Sequence, residues 1–297
     1  MINNKYAVSY TRFLKSFLKM NRFVKVVLDP SNGSSIPILK GVFKGNKRTH
    51  FINDIPDGRF PGHSPNPLMR KASLGLQRTV VKKGADLGII FDADGDRAIF
   101  IGSDGRVVSR GVIGRLLIEY LKPKRVVVDL TMSWLVKKDI PYCRVFRSVV
   151  GSYFIRHNIL KYKADLGMES SGHFYFHIKK SRNKFVLSSA ILASIIVINM
   201  MSYLGRDAFN ERVKTLSGLY YRWEKNIKSG VNIKNLYKKY IRKKNIEVLL
   251  NDGLSVEGRD YWFNVRKSNT EDLVRVSLES QNKKTLLSIK KELLKLL

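Results

Sequence analysis

Three aspartates at alternate positions, Asp92-Ala93-Asp94-Gly95-Asp96, followed by Arg97, are the sharpest chemical signal in this chain. On a tight loop such carboxylates can converge on one hard divalent cation, and the adjacent guanidinium suits a phosphate that shares it. A calcium loop of the EF-hand type also begins with alternating aspartates. It needs glycine at its sixth position and a bidentate glutamate at its twelfth, where this chain has Arg97 and Ser103. The expectation is therefore a divalent-metal loop made by Asp92, Asp94 and Asp96.

A β-branched, apolar run from Leu87 to Phe91 leads into these aspartates, and the same texture recurs. Phe23 to Leu28 runs into Asp29-Pro30-Ser31-Asn32-Gly33-Ser34-Ser35, Arg125 to Leu130 into Thr131-Met132-Ser133, and Ala164 to Met168 into Glu169-Ser170-Ser171-Gly172. Strands that alternate with helical stretches such as Val112 to Leu121 imply βαβ layers. Functional loops of open α/β sheets lie at the carboxyl ends of strands, where all these polar clusters fall. After about Phe209 the texture becomes basic and mixed. Two β-rich runs, Tyr261 to Val265 and Leu273 to Leu278, then flank a polar turn, and a helix from Lys283 to Leu297 closes a small α+β unit.

The chain has 297 residues, enough for more than one core, and carries 55 Lys or Arg against 24 Asp or Glu, a formal charge of +31. Such a charge attracts nucleic acid, anionic membrane or phosphorylated small molecules without choosing among them. The nine basic residues between Arg222 and Glu247 alternate with Ile, Val, Leu and Tyr, as on a solvated amphipathic face, and no aromatic-basic RNA-binding signature accompanies them. Residues 185–205 carry no charge, yet Ser188, Ser189, Ser194, Asn199 and Ser202 interrupt the run, so it reads as a buried helix instead of a membrane span. The single Cys143 allows no internal disulfide, and the first twelve residues lack the apolar core of a secretory signal; a reducing, cytoplasmic setting is expected.

The strand Ala85 to Phe91 with its Asp-x-Asp-x-Asp-Arg loop resembles the magnesium loop of the α-D-phosphohexomutases, the phosphomannomutase and phosphoglucomutase enzymes. Asp29-Pro30-Ser31-Asn32-Gly33 and Pro65-Asn66-Pro67 precede it in the family's order. Gly167-Met168-Glu169-Ser170-Ser171-Gly172-His173 looks like the family's sugar loop, which places Glu169 and Ser171 on hexose hydroxyls. A carboxylate on a glycine-flanked loop can accept two vicinal hydroxyls. His173 is expected to pack behind that loop. Arg266-Lys267-Ser268-Asn269-Thr270-Glu271, followed by Arg275, is similar to the family's C-terminal phosphate loop, where Arg266, Ser268, Asn269, Thr270 and Arg275 would hold the phosphate that is not reacting.

The resemblance implies an α/β chain: two mixed-sheet α/β/α domains (family domains II and III, residues 1–108 and 109–208) and a small C-terminal α+β domain (domain IV, residues 209–297). It implies magnesium, a hexose phosphate substrate of mannose or glucose type, and an activator of the glucose 1,6-bisphosphate type. Arg97 would act on the transferring phosphoryl group. The family's phosphoserine domain has no counterpart here, so activity would need that domain in trans. Lys267 and Asp272 stand where the family's loop has prolines, and Ser152 where His or Asp is common. The alternative is a catalytically inactive relic that binds sugar phosphate or, through its basic surface, nucleic acid.

Overall fold

The computed structural model describes residues 5–19, 24–69, 71–180, 183–228, 233–268 and 272–297. Three five-stranded sheets follow one another along the chain. The first contains β1 (Val26–Asp29), β2 (Thr49–Phe51), β3 (Leu87–Phe91), β4 (Ala98–Gly102) and β5 (Val107–Val108) in the order β2-β1-β3-β4-β5. The second contains β6 (Arg125–Asp129), β7 (Arg144–Ser148), β8 (Leu166–Met168), β9 (Phe174–Lys180) and β10 (Asn183–Ser188) in the order β7-β6-β8-β9-β10.

These two sheets are topological copies. In each, the second strand of the order, β1 or β6, is parallel to both neighbours, and the last two strands run antiparallel. The copies share a local device as well. Asp29 ends β1 and accepts the amide N–H of Ser31 at 3.0 Å; Asp129 ends β6 and accepts that of Thr131 at 2.7 Å. Both aspartates are fully buried, which only their several donors make tolerable.

Helices α1 (Lys5–Lys15), α2 (Ile36–Val42), α3 (Leu74–Lys83), α4 (Arg110–Leu121), α5 (Ser152–Tyr162), α6 (Ala190–Leu204) and α7 (Arg206–Ser217) cover these sheets. Leu76 and Val80 of α3 close one face of the first sheet, and Ile155 and Ile159 of α5 close one face of the second. Between the sheets, α4 and α6 are shared, so Leu28, Ile89, Val112, Leu117, Val128, Met168 and Ile195 all belong to one apolar core.

The uncharged run 185–205 is not one helix. It is the end of β10 followed by α6, and the two serines that divide it explain why: Ser189 caps the helix, accepting the N–H of Leu192 at 3.1 Å. Within α6, Ser194 donates to the Ala190 carbonyl, and Asn199 is held by Phe17 O and Lys19 N after α1. Among the described residues no single helix is long and apolar enough to cross a membrane, and α6 bends 116° into α7.

The third sheet is wholly antiparallel: β11 (Tyr221–Lys228), β12 (Glu247–Leu249), β13 (Leu254–Glu257), β14 (Tyr261–Lys267) and β15 (Leu273–Ser280), ordered β11-β15-β14-β13-β12. With α8 (Ile233–Tyr240) and α9 (Lys283–Leu296) it encloses a core of its own, including Leu236, Tyr240, Phe263, Val276 and Leu293. Its attachment to the second sheet is polar. Glu279, 2% exposed, accepts Ser133 Oγ at 2.6 Å and, at 2.7 Å each, Trp134 N and Trp262 Nε1.

Candidate functional site

The chain leaves β3 at Phe91 and must return as β4, and the connection is the acidic loop. Ligand oxygens of Asp92, Asp94 and Asp96 lie within 4.8 Å of one another, Asp92 buried and Asp94 exposed. An all-oxygen set with three carboxylates fits a hard cation of the magnesium or calcium class. The loop is fixed from within, because Asp92 Oδ1 accepts the N–H groups of Gly95 and Arg97, both at 3.1 Å, and Arg97 Nε donates to Asp92 Oδ2 at 2.6 Å. It is also fixed from the side of β1. Gly33 lies so close that a Cβ there would stand 2.1 Å from the Ala93 carbonyl oxygen.

Burial pushes the Asp92 carboxyl up to about 6. For Asp96 burial acts in the same sense, but the hydrogen bond and charge of His173 outweigh it and hold the carboxyl below its ordinary range. A cation needs the carboxylate form. Asp92 carries its proton below about 6, so magnesium affinity should be about tenfold weaker at pH 5 than at pH 7. Calorimetric titration at the two pH values checks this, and a flat profile would contradict it.

The equivalent connection in the second sheet, between β8 and β9, is the Glu169 to His173 loop. The two equivalent loops meet. Arg97 and His173 form an antiparallel bridge, and Ala98 N donates to Gly172 O at 3.2 Å. Gly172 sits at φ +94°, and a Cβ on it would lie 2.9 Å from the Ala98 carbonyl oxygen, so this approach requires glycine. His173 does more than pack behind the loop. Its Nε2 is 3.3 Å from Asp96 Oδ2, its Nδ1 is 3.4 Å from Glu169 Oε2 and 2.7 Å from Ser171 Oγ, and its side chain remains 21% exposed. Glu169 lies four residues before it on the same loop, but Asp96 belongs to the other sheet, so no spacing signal marked that second contact.

Glu169 is 3% exposed and accepts Gly151 N at 2.9 Å and the Tyr175 hydroxyl at 2.5 Å. Burial raises its pKa. Beneath the loop, Asp129 Oδ2 accepts the N–H of Ser170 at 2.6 Å. Asp29 does the same for the first sheet, accepting Asn53 Nδ2 at 2.9 Å and meeting His63 Nε2 at 3.0 Å, a contact that raises the histidine pKa. Asp129 thus supports the Glu169 to His173 loop, while Asp29 and His63 brace the loops that follow β1 and β2. The sequence mark of the two aspartates is that each closes a buried strand.

On the third sheet, Arg266 and Arg275 face each other across β14 and β15. Arg266 is 6% exposed, and its Nε is buried without a hydrogen-bond partner among the described residues. Like charges directly opposite on a sheet are unfavourable, and an anion held between them offsets the cost. Ser268 follows β14 and its N–H donates to Leu273 O at 2.8 Å. Asn269 and Thr270 lie outside the described residues.

Domain models of one family match the three sheet units in order. Phosphoglucomutase/phosphomannomutase α/β/α domain II matches residues 5–105, α/β/α domain III residues 111–225, and the C-terminal domain residues 222–296. The chain belongs to the phosphoglucomutase/phosphomannomutase family. A phosphomannomutase of Methanocaldococcus jannaschii is 34% identical over 281 residues, covering 88% of this chain and 59% of that protein. The chain thus spans about three fifths of the length of this curated relative. A family member from Burkholderia thailandensis superposes with a TM-score of 0.80 at 20% identity, over 97% of this chain and 63% of that one. An N-acetylphosphoglucosamine mutase of Aspergillus fumigatus, solved with GlcNAc-6P and magnesium, has a TM-score of 0.61 at 14% identity, over 96% of this chain and 67% of that one. These structural likenesses show the family's fold in this chain.

Proposed function

We propose that this chain binds a hexose phosphate between its second and third sheets and serves as the larger part of a phosphohexomutase. The reaction would interconvert the 1- and 6-phosphates of mannose or glucose in the cytoplasm. The observation that carries the reading is His173, which ties the acidic loop to the sugar loop through Asp96 and Glu169.

In this reading Asp92, Asp94 and Asp96 hold magnesium, which when bound offsets the negative charge of a transferring phosphoryl group. Glu169 and Ser171 orient sugar hydroxyls. Arg266, Ser268, Asn269, Thr270 and Arg275 fasten the resting phosphate. Arg97 stabilises charge beside Asp92. His173 takes the proton of the attacking hydroxyl, with a carboxylate on either side to stabilise the imidazolium. The phosphoryl donor would be a phosphoserine on a separate domain, with a glucose 1,6-bisphosphate-type activator restoring it. The basic excess marks no nucleic-acid segment: residues 1–108, 109–208 and 209–297 hold 18, 17 and 20 Lys or Arg against 8, 6 and 10 Asp or Glu.

The test is a mutase assay with magnesium, glucose 1-phosphate and a trace of glucose 1,6-bisphosphate, run with and without a family serine domain added as a second chain. Turnover that appears only with the added domain, together with glucose 6-phosphate binding by the chain alone, is expected. No binding of either hexose phosphate would overturn the reading.

A further inference from the structure

Asp252 takes no part in the chemistry above, yet it joins the two ends of the substrate site. It lies in the turn between β12 and β13, and that turn is pressed flat against β14. Gly253 has φ +71°, and a Cβ on it would stand 2.2 Å from the Val265 carbonyl oxygen and 2.6 Å from the Arg266 Cα. Asn264 Nδ2, from β14 itself, donates to the Asp252 carbonyl at 3.0 Å. The turn and the backbone of Arg266 therefore move as one piece.

The Asp252 carboxylate leaves its own sheet and accepts the N–H of Val150 at 2.8 Å. The very next N–H, that of Gly151, donates to Glu169 Oε1 at 2.9 Å. Two successive amides before α5 thus hold two carboxylates, one from the third sheet and one from the sugar loop. Both negative charges lie at the start of an eleven-residue helix, where its dipole favours them.

We propose that Asp252 is a positioning residue that sets the span between Arg266 and Glu169, and so matches the site to the distance between a hexose's phosphate and its hydroxyls. This rests on the hexose phosphate reading above. Asp252 is not needed to keep the third sheet in place. Glu279 with Ser133 and Trp134, Arg222 Nη2 on the Thr131 carbonyl at 2.8 Å, and Arg147 Nη2 on Glu257 at 2.7 Å hold that sheet independently.

The experiment compares the chain with Asp252→Ala and Asp252→Asn by calorimetric titration with glucose 6-phosphate and with inorganic phosphate, and by hydrogen exchange at the Val150 amide. Asp252→Ala should weaken glucose 6-phosphate about tenfold, the scale of one charge-assisted hydrogen bond, and leave inorganic phosphate within about twofold. Exchange at Val150 should accelerate. Asp252→Asn, which keeps an acceptor oxygen, should recover most of the hexose phosphate affinity. Unchanged glucose 6-phosphate affinity in Asp252→Ala would overturn the proposal. So would an equal loss for inorganic phosphate, since the turn would then merely support Arg266. If the unaltered chain binds inorganic phosphate but no hexose phosphate, the reading beneath the proposal fails with it, a result separable from either variant's behaviour.

Discussion

Replacing Asp94 with alanine is expected to lower magnesium affinity by at least about a hundredfold, while stability without magnesium stays within about 0.5 kcal/mol of the parent. Asp94 is exposed, and among the described residues its carboxylate takes no hydrogen bond, so its removal disturbs no packing. Three carboxylates with oxygens within 4.8 Å of one another repel, and a bound cation would relieve that repulsion. Thermal unfolding gives a second view. Magnesium should raise the melting temperature of the parent through its preference for the folded state, and should leave Asp94→Ala nearly unmoved. Equal magnesium affinity in the two proteins would mean that the acidic loop is not the metal site.

The largest expected effect on stability comes from Glu279→Ala. Three buried donors, Ser133 Oγ, Trp134 N and Trp262 Nε1, share this one carboxylate, and alanine leaves all of them without it. At roughly 1–3 kcal/mol for each buried group left unpaired, and some relief from entering water, the loss should be about 3–5 kcal/mol. Because the third sheet has its own core, urea unfolding should split, with the C-terminal unit leaving before the rest. Glu279→Gln, which retains one acceptor oxygen, should lose less. A change below about 1 kcal/mol in Glu279→Ala would show that the donors find other partners.

The parts of the site legible in the sequence are those encoded locally. Asp92, Asp94 and Asp96 converge because alternate positions on one short loop can hardly do otherwise, and Leu87–Phe91 is a strand with the bounds its apolar run suggested. The β-rich runs near Tyr261 and Leu273 extend further than their apolar residues, to Lys267 and Ser280, because polar residues such as Arg266 and Glu279 are also buried there. The division of residues 185–205 was readable in principle, since Ser189 is a helix cap, but uniform hydrophobicity concealed the change of period. What the sequence hid is long-range. The two α/β sheets share topology and an aspartate at the end of β1 and of β6, with too little common sequence to register as a repeat. His173 meets Asp96 only because the copies bring equivalent loops together.

The way the three sheets are joined has a mechanical consequence. The first two share one apolar core through α4 and α6, and prising them apart would wet that core along its length. The third is fastened through carboxylates and N–H groups that can exchange partners with water at modest cost. The molecule is therefore stiff between its acidic loop and the Glu169 to His173 loop and compliant at its arginine end, like a vice with one fixed jaw. On the hexose phosphate reading proposed above, a bound ring would be gripped against the fixed jaw and released by the moving one, so a change of ligand size should be felt first in the setting of the C-terminal sheet.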